Sequence, residues 1–167
     1  MTFDKPTLRG LFDSMRWADE LMMTAAGTVG DDAYYAERGF SLGSIHKLLV
    51  HGLTAQKLWL SRWRGVQPAR IEDATDHPTR ELLSARWSAM HDELAAFLDA
   101  QTAETLAAEV EGTNSFGEKF SLPLSCLMYH VVDHAMYHRG QINSMIKLAG
   151  GTPCNPFFTR HLVSLAR

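Results

Sequence analysis

Three histidines, His130, His134 and His138, follow one another at intervals of four residues. On a helix, a step of four residues advances about 40° around the axis and about 6 Å along it, so adjacent members of the series can bind one ion. His130 and His138 lie about 12 Å apart along the axis, which is awkward for an ion whose ligand bonds are about 2.1 Å. His134 can therefore share an ion with either His130 or His138.

The residues around His134 predict that this row faces the interior. Those within about 60° of it on a helical projection are Leu127, Val131, Gln141, Met145, Leu148 and Ala149. His134 is thus expected at the centre of the apolar stripe, where a metal ion would satisfy two neighbouring imidazoles directly. The alternatives are a hydrogen-bonded core histidine or an exposed pair, because an i, i+4 pair alone is a weak motif.

A third ligand could come from the helix that contains His46 and His51. These two histidines differ by about 140° around the helix, so they cannot face one site. His51 lies at the edge of an apolar arc and is the better donor, whereas His46 in the first turn is expected to be exposed. His77 is predicted in a loop, His91 at the edge of the third helix's stripe and His161 in the tail, and none of the three is assigned a function.

Three neutral imidazoles leave a bound ion its full charge and at least one open position, as in catalytic rather than closed structural sites. Imidazole suits zinc, nickel, iron or copper; zinc and nickel are the leading candidates. Water or a thiol at the open position would be acidified toward neutrality. No second carboxylate or histidine marks a general base, so no catalytic residue is assigned. Gln141, about one turn beyond His138, is a candidate for orienting a ligand.

Four helical patterns position these residues, over approximately 7–28, 44–65, 79–101 and 122–149. Thr7 and either Ser41 or Ser44 are the predicted caps of the first two, and the third is predicted to start near Pro78 or Thr79. The second pattern stops at Gly65 and Pro68, and the fourth has Pro123 near its first turn and closes at Gly150.

The segments between these patterns are predicted as connections. Residues 30–39 (GDDAYYAERG) are expected to form a loop, residues 106–120 a small hairpin, and the tail a short final turn. Without an internal repeat or a break in composition, residues 1–167 are predicted to form a single all-α four-helix-bundle domain.

A second apolar face on the fourth helix contains Tyr129, Val132 and Met136, bordered by Arg139. Such a face predicts that another helix packs there, and a homodimer is the commonest closed assembly that would supply one. The alternative is that the first helix, or the tail with Phe157 and Phe158, covers this face.

Composition narrows the class of protein. The chain has 46% apolar and 21% charged residues and a formal net charge of −3, which gives no attraction for nucleic acid. No apolar run approaches the roughly 20 residues of a membrane span, and the first ten residues lack the apolar core of a secretory signal. Cys126 and Cys154 do not make a disulfide framework. A cytoplasmic protein without membrane or nucleic-acid partners is therefore expected.

The segment 130–142, HVVDHAMYHRGQI, resembles the signature of the DinB-like (DinB/YfiT) family, in which a histidine is followed by Arg-Gly-Gln. Residues 45–60, IHKLLVHGLTAQKLWL, are similar to the family's first ligand region. The resemblance implies a metal-binding four-helix bundle with His51, His134 and His138 as its ligands and His130 outside the ligand set. Many relatives carry glutamate where Gln56 stands, a departure that concerns the polar network around His51.

The resemblance also implies an activity, because the family includes transferases and isomerases that use bacillithiol, mycothiol or glutathione. The leading function is transfer of a low-molecular-weight thiol to an electrophilic small molecule. The alternatives are a non-catalytic metal-binding stress protein and a metal-dependent hydrolase.

Overall fold

Four long helices make up most of the computed structural model, which describes residues 1–66, 70–114 and 116–166. In chain order the elements are α1 (Lys5–Ala26), α2 (Asp31–Tyr35), α3 (Ile45–Trp63), α4 (Arg80–Asp99), α5 (Ala103–Ala107), β1 (Glu109–Thr113), β2 (Lys119–Pro123), α6 (Leu124–Leu148) and α7 (Phe158–Leu165). The predicted four-helix bundle is confirmed by α1, α3, α4 and α6. Pro68, predicted to help end the second helix, lies outside the described residues.

Side-chain caps fix where three of the long helices begin. Ser44, one of the two predicted caps, accepts from the backbone N–H of Lys47, and Thr79, near the predicted start of the third helix, accepts from that of Leu82. The predicted Thr7 cap is wrong, because the helix begins earlier and Asp4 accepts from the N–H of Thr7. A carboxylate at the first residue outside a helix also complements the helix dipole.

The core lies between α6, which packs against α1 and α3, and α4, which packs against the same two helices. Its fully buried side chains include Leu8, Met15, Leu48, Leu94, Met128 and Met145. Gly52 permits a close approach of α3 and α4, because a Cβ there would lie only 3.1 Å from the Trp87 ring. The adjacency of α3 and α6 matters most for function, because these two helices contain the candidate ligands.

The predicted hairpin is present between α5 and α6. Strands β1 and β2 pair antiparallel, with Gly112 opposite Phe120. Gly117 in the turn has a φ of 81°, a conformation that favours glycine. The hairpin places Phe120 against Trp59 of α3, with ring centroids 6.2 Å apart.

Two connections contain more structure than the sequence predicted. The expected loop at 30–39 includes the short helix α2, which Asp31 and Asp32 favour by their position in its first turn. Its Tyr34 is buried and lies beneath the Arg80 guanidinium, 3.8 Å from the ring centroid. The tail forms the eight-residue helix α7 rather than a short turn. No helix in the described part of the chain is long and apolar enough to cross a membrane.

Candidate metal centre

Three histidines from the neighbouring helices α3 and α6 meet at one point. One ring nitrogen from each of His51, His134 and His138 lies within 4.8 Å of the other two. The Nε2 atoms of His134 and His138 are 3.2 Å apart. The ring of His51 lies 4.6 Å from that of His138 and 5.2 Å from that of His134, between centroids. Sequence spacing brings the α6 pair together, and packing of α3 on α6 adds His51.

The geometry of these nitrogens fits a divalent metal ion. Tetrahedral coordination with bonds of about 2.1 Å separates the ligand atoms by roughly 3.4 Å. The His134–His138 separation already meets this value, and a ring nitrogen of His51 lies within 4.8 Å of both. The trio could therefore hold a metal ion, and imidazole donors suit zinc, nickel, copper or iron.

Burial keeps the three imidazoles unprotonated. Burial, together with the adjacent His138, His51 and His130, lowers the pKa of His134 to about 4. Burial also lowers the pKa of His51 and of His138. Only a neutral imidazole has a lone pair to offer a metal, so the trio is ready to ligate at neutral pH without displacing protons.

Gln141 fixes the orientation of one of these rings. The Nδ1–H of His138 donates to Oε1 of Gln141 at 2.7 Å, which leaves Nε2 of His138 as the free nitrogen facing His134. The predicted orienting position of Gln141 is thus matched by a direct contact. Such contacts to the second nitrogen hold a metal-ligating histidine in one tautomer and one orientation.

His130 lies beside the trio but not within it. Its ring centroid is 6.0 Å from that of His134, and its ring packs edge-on against Trp59 at 5.1 Å. Helical spacing allows His134 to pair with either His130 or His138, and the structure brings together His134 and His138.

The expected position of His134 at the centre of the buried stripe is wrong. His134 is only half-buried, and Leu148, assigned to the same stripe, is 72% exposed. The buried arc is centred roughly 100° further round, on Ala135, Arg139 and Ile142. The physical reason is that α1 covers Arg139, a residue whose charge suggested a surface position.

The remaining histidines lie outside the trio and are buried. His46 is buried rather than exposed as predicted, because α2 folds over it and Tyr34 lies 3.2 Å from its Nδ1. His77 lies in a loop as predicted, and is buried against Glu72 at 2.9 Å. His91 and His161 are also buried, in α4 and α7.

A polar cluster that the sequence analysis missed lies next to the trio. Asp19 is buried on α1, where its carboxylate accepts from Arg139 of α6 at 2.9 Å. Gln56 points to Asp19 rather than into a network around His51, so the expectation for Gln56 is corrected. The available signal was an acidic residue between Ala18 and Met22, both of which belong to the apolar stripe of the first helix.

An open groove of about 450 Å³ adjoins His51 on the side of the connection to α4. Its apolar wall includes Leu42 and Ile71, which are 41% and 60% exposed. Its polar groups are Lys47, Thr54, Glu72, Asp73 and Thr75. Exposed large apolar side chains beside a cluster of potential ligands are typical of a small-molecule site.

A helical bundle with a three-histidine cluster defines a class of potential metal-binding proteins. The sequence pattern of the DinB family matches residues 4–162, and the chain belongs to that family. None of the curated proteins compared with the chain matches it.

Two solved structures share the fold. A DinB-like protein from Bacillus cereus ATCC 10987 has a TM-score of 0.64 and 18% identity, over 88% of this chain and 95% of that one. A DinB-like protein from Bacillus subtilis has a TM-score of 0.61 and 19% identity, over 89% and 96%. At these identities the likeness concerns the fold alone.

Proposed function

We propose that this chain is a metal-dependent enzyme that transfers a low-molecular-weight thiol to an electrophilic small molecule. In this proposal His51, His134 and His138 bind one divalent ion, with zinc or nickel as the leading candidates. The observation that carries the proposal is the meeting of three imidazoles, of which His51 also lines an open, partly apolar groove.

The composition of the trio supports a reactive rather than a closed site. A closed structural zinc site uses four protein ligands, whereas three ligands leave room for an exogenous group. An ion held only by neutral donors keeps its full charge and so supplies Lewis acidity that lowers the pKa of a thiol or water next to it. The protein's part is to hold three imidazoles neutral, and Gln141 holds the ring of His138.

The protein's own thiols are poorly placed to act as the nucleophile. Burial raises the pKa of Cys154, which contacts Asn143. Cys126 lies eight residues before His134 on α6, about 12 Å along the axis, and its Sγ contacts the carbonyl oxygen of Met1. The thiolate is the reactive form of a thiol, so a buried thiol with a raised pKa is a weak nucleophile. An external thiol is therefore the better source of sulfur.

The groove beside His51 supplies a place for the electrophile. Leu42 and Ile71 would pack against its apolar body and hold it near the trio. In the transfer, the thiol sulfur forms a bond to an electrophilic carbon. The electron pair of the broken bond leaves with chloride from a chlorinated aromatic, or stays on the oxygen of an opened epoxide, which takes up a proton. The thiol proton passes to solvent, so the reaction needs no oxidant or reductant.

Turnover measurements test this proposal against its alternatives. A chlorinated aromatic and an epoxide are offered to the zinc- or nickel-loaded protein with bacillithiol, mycothiol, glutathione or no thiol. The control is His134→Ala, which removes one predicted ligand, and Ile71→Asp tests the groove with the ligands intact. Turnover that requires both a thiol and His134 supports the transferase.

The other outcomes each point to a different function. Equal rates with and without thiol that still require His134 indicate a hydrolase. No turnover above the His134→Ala control indicates a non-catalytic metal-binding protein.

A further inference from the structure

Asp19 of α1 lies at a point where all four long helices contribute a polar side chain. Its Oδ1 accepts from Arg139 Nη1 of α6 at 2.9 Å, and its Oδ2 lies 3.5 Å from Gln56 Nε2 of α3. Nε2 of His91, on α4, is 3.5 Å from the same Oδ2. Asp19, Gln56, His91 and Arg139 are 6%, 2%, 5% and 7% exposed, respectively, so the cluster is shielded from water.

Stability alone is a poor explanation for this cluster. Removing two charges from water costs several kcal/mol per ion, and replacing a buried pair by well-packed neutral residues is often neutral or stabilising. Buried ionic groups are best attested as devices that fix one arrangement of helices among several. What Asp19 fixes can be identified from the helices it joins.

Asp19 joins the two helices that contain the candidate ligands. Gln56 is five residues after His51 on α3, and Arg139 directly follows His138 on α6. One carboxylate therefore contacts both the helix that contains His51 and the helix that contains His134 and His138.

We propose that Asp19 and Arg139 are positioning residues that set the rotation of α6 relative to α3 and so bring the three imidazoles into ligating geometry. The inference rests on the metal-binding part of the proposed function. It assigns a role to two residues that do not themselves belong to the trio.

The geometry is sensitive to helix rotation. A side-chain atom about 6 Å from a helix axis moves by roughly 2 Å when the helix turns by about 20°. Metal–ligand distances tolerate deviations of only about 0.2 Å. A rotation too small to disturb the fold would therefore disperse the ligands.

The packing on this side of α6 is interrupted by a small void. A small internal cavity of about 20 Å³ is lined by Asp19, Trp87, His138 and Arg139, among others. Side chains that border a cavity lose contacts on that side, so van der Waals packing restrains them less. The Arg139–Asp19 ion pair is then the main directional contact between this part of α6 and α1.

The test is the double variant D19N/R139M, which removes both charges together. The asparagine side chain keeps an oxygen for the Gln56 amide, and the methionine side chain retains much of the apolar volume of the arginine. The matched control is R16M, which breaks the surface pair between Arg16 of α1 and Asp92 of α4. Zinc affinity by titration calorimetry and unfolding in urea are measured for both, and crystal structures are compared without metal.

We expect D19N/R139M to unfold at the same or a higher urea concentration than the wild type, while its zinc affinity falls about 10- to 100-fold, as for contacts that orient ligands. R16M should keep wild-type affinity. Wild-type zinc affinity in a folded D19N/R139M protein would overturn the inference. If D19N/R139M does not fold, the test passes to R139K, which keeps the positive charge but changes the length and shape of the side chain. R139K must then show the same loss of zinc affinity, or the inference fails.

A wild-type protein without zinc affinity would contradict the proposed function. The crystal structures would then still test whether Asp19 and Arg139 set the positions of the three rings. In that case the ring of His138 should still move away from that of His51 by more than about 1 Å in D19N/R139M, given the rotation argued above. Unchanged ring positions would overturn the inference independently of metal.

Discussion

His138 and Gln141 form a hydrogen bond of 2.7 Å across one turn of α6, in which Nδ1–H of the imidazole donates to the amide oxygen. Nε2 of His138 is thereby left free, 3.2 Å from Nε2 of His134. One contact thus selects the nitrogen that faces the cluster.

Replacement of Gln141 by leucine should lower zinc affinity about 10- to 100-fold without abolishing it, because the ligands remain but His138 loses its fixed tautomer. Gln141→Glu should keep the affinity, since a carboxylate also accepts from Nδ1–H. Titration calorimetry measures both, with the exposed Ser144→Ala on the same helix as control. Equal affinities of the Gln141→Leu and wild-type proteins would show that the hydrogen bond has no role in binding.

Single alanine substitutions of His51, His134 and His138 should each abolish tight metal binding, because two imidazoles do not make a complete site. His130→Ala should retain it, since His130 packs against Trp59 outside the trio. The metal content of the four purified variants decides the matter. Loss of metal from the His130 variant together with retention by the His138 variant would shift the site by one helical turn.

The stability of the metal-free protein should depend on pH through His134. Its pKa is about 4 in the folded chain and 6.5 as an unperturbed group, so the unfolded chain binds more protons between these values. The free energy of unfolding should therefore fall as the pH decreases from about 6.5 to about 4. Urea unfolding in the presence of a chelator measures this. His134→Ala should show a shallower dependence, and an identical slope in both proteins would contradict the burial of a neutral imidazole.

The homodimer remains a prediction. Helix α1 covers part of the second face of α6, since Val132 and Arg139 are buried there, but Met136 is 56% exposed. If this remainder is the interface, light scattering at micromolar concentration should give a dimeric mass, and Met136→Asp should shift it toward the monomer. Leu162→Asp alters an exposed apolar residue on α7 and should leave the dimeric mass unchanged. A monomeric wild type would refute the prediction.

Local pattern was enough to predict the four long helices, because apolar residues at helical spacing and hydroxyl caps at Ser44 and Thr79 are properties of short segments. The start of α1 was misplaced because both Asp4 and Thr7 are plausible caps. The helix α2 was missed because five residues are too few for a periodic signal, and its Tyr34 is stabilised by Arg80, 46 residues later.

In the site, too, local spacing predicted some features, whereas others depend on residues far apart in the chain. The spacing on α6 predicted a pair that includes His134, and the position of His51 on its helix made it the better third donor, whereas the choice of His138 over His130 depended on family resemblance. The cluster around Asp19 was harder to predict, because Asp19 and Arg139 are 120 residues apart in the chain and only the position of Asp19 within an apolar stripe indicates its burial. The expectation that Arg139 lies at the surface also misplaced the centre of the buried face of α6.

Metal stoichiometry tests the central claim most directly. Protein purified from metal-replete cells, and metal-free protein titrated with zinc and with nickel, are compared by elemental analysis with His134→Ala prepared in parallel. The three-imidazole site predicts about one divalent ion per chain in the wild type and almost none in the variant. Wild-type protein that is isolated without metal and takes up neither ion, or that holds as much metal as the variant, would contradict the account.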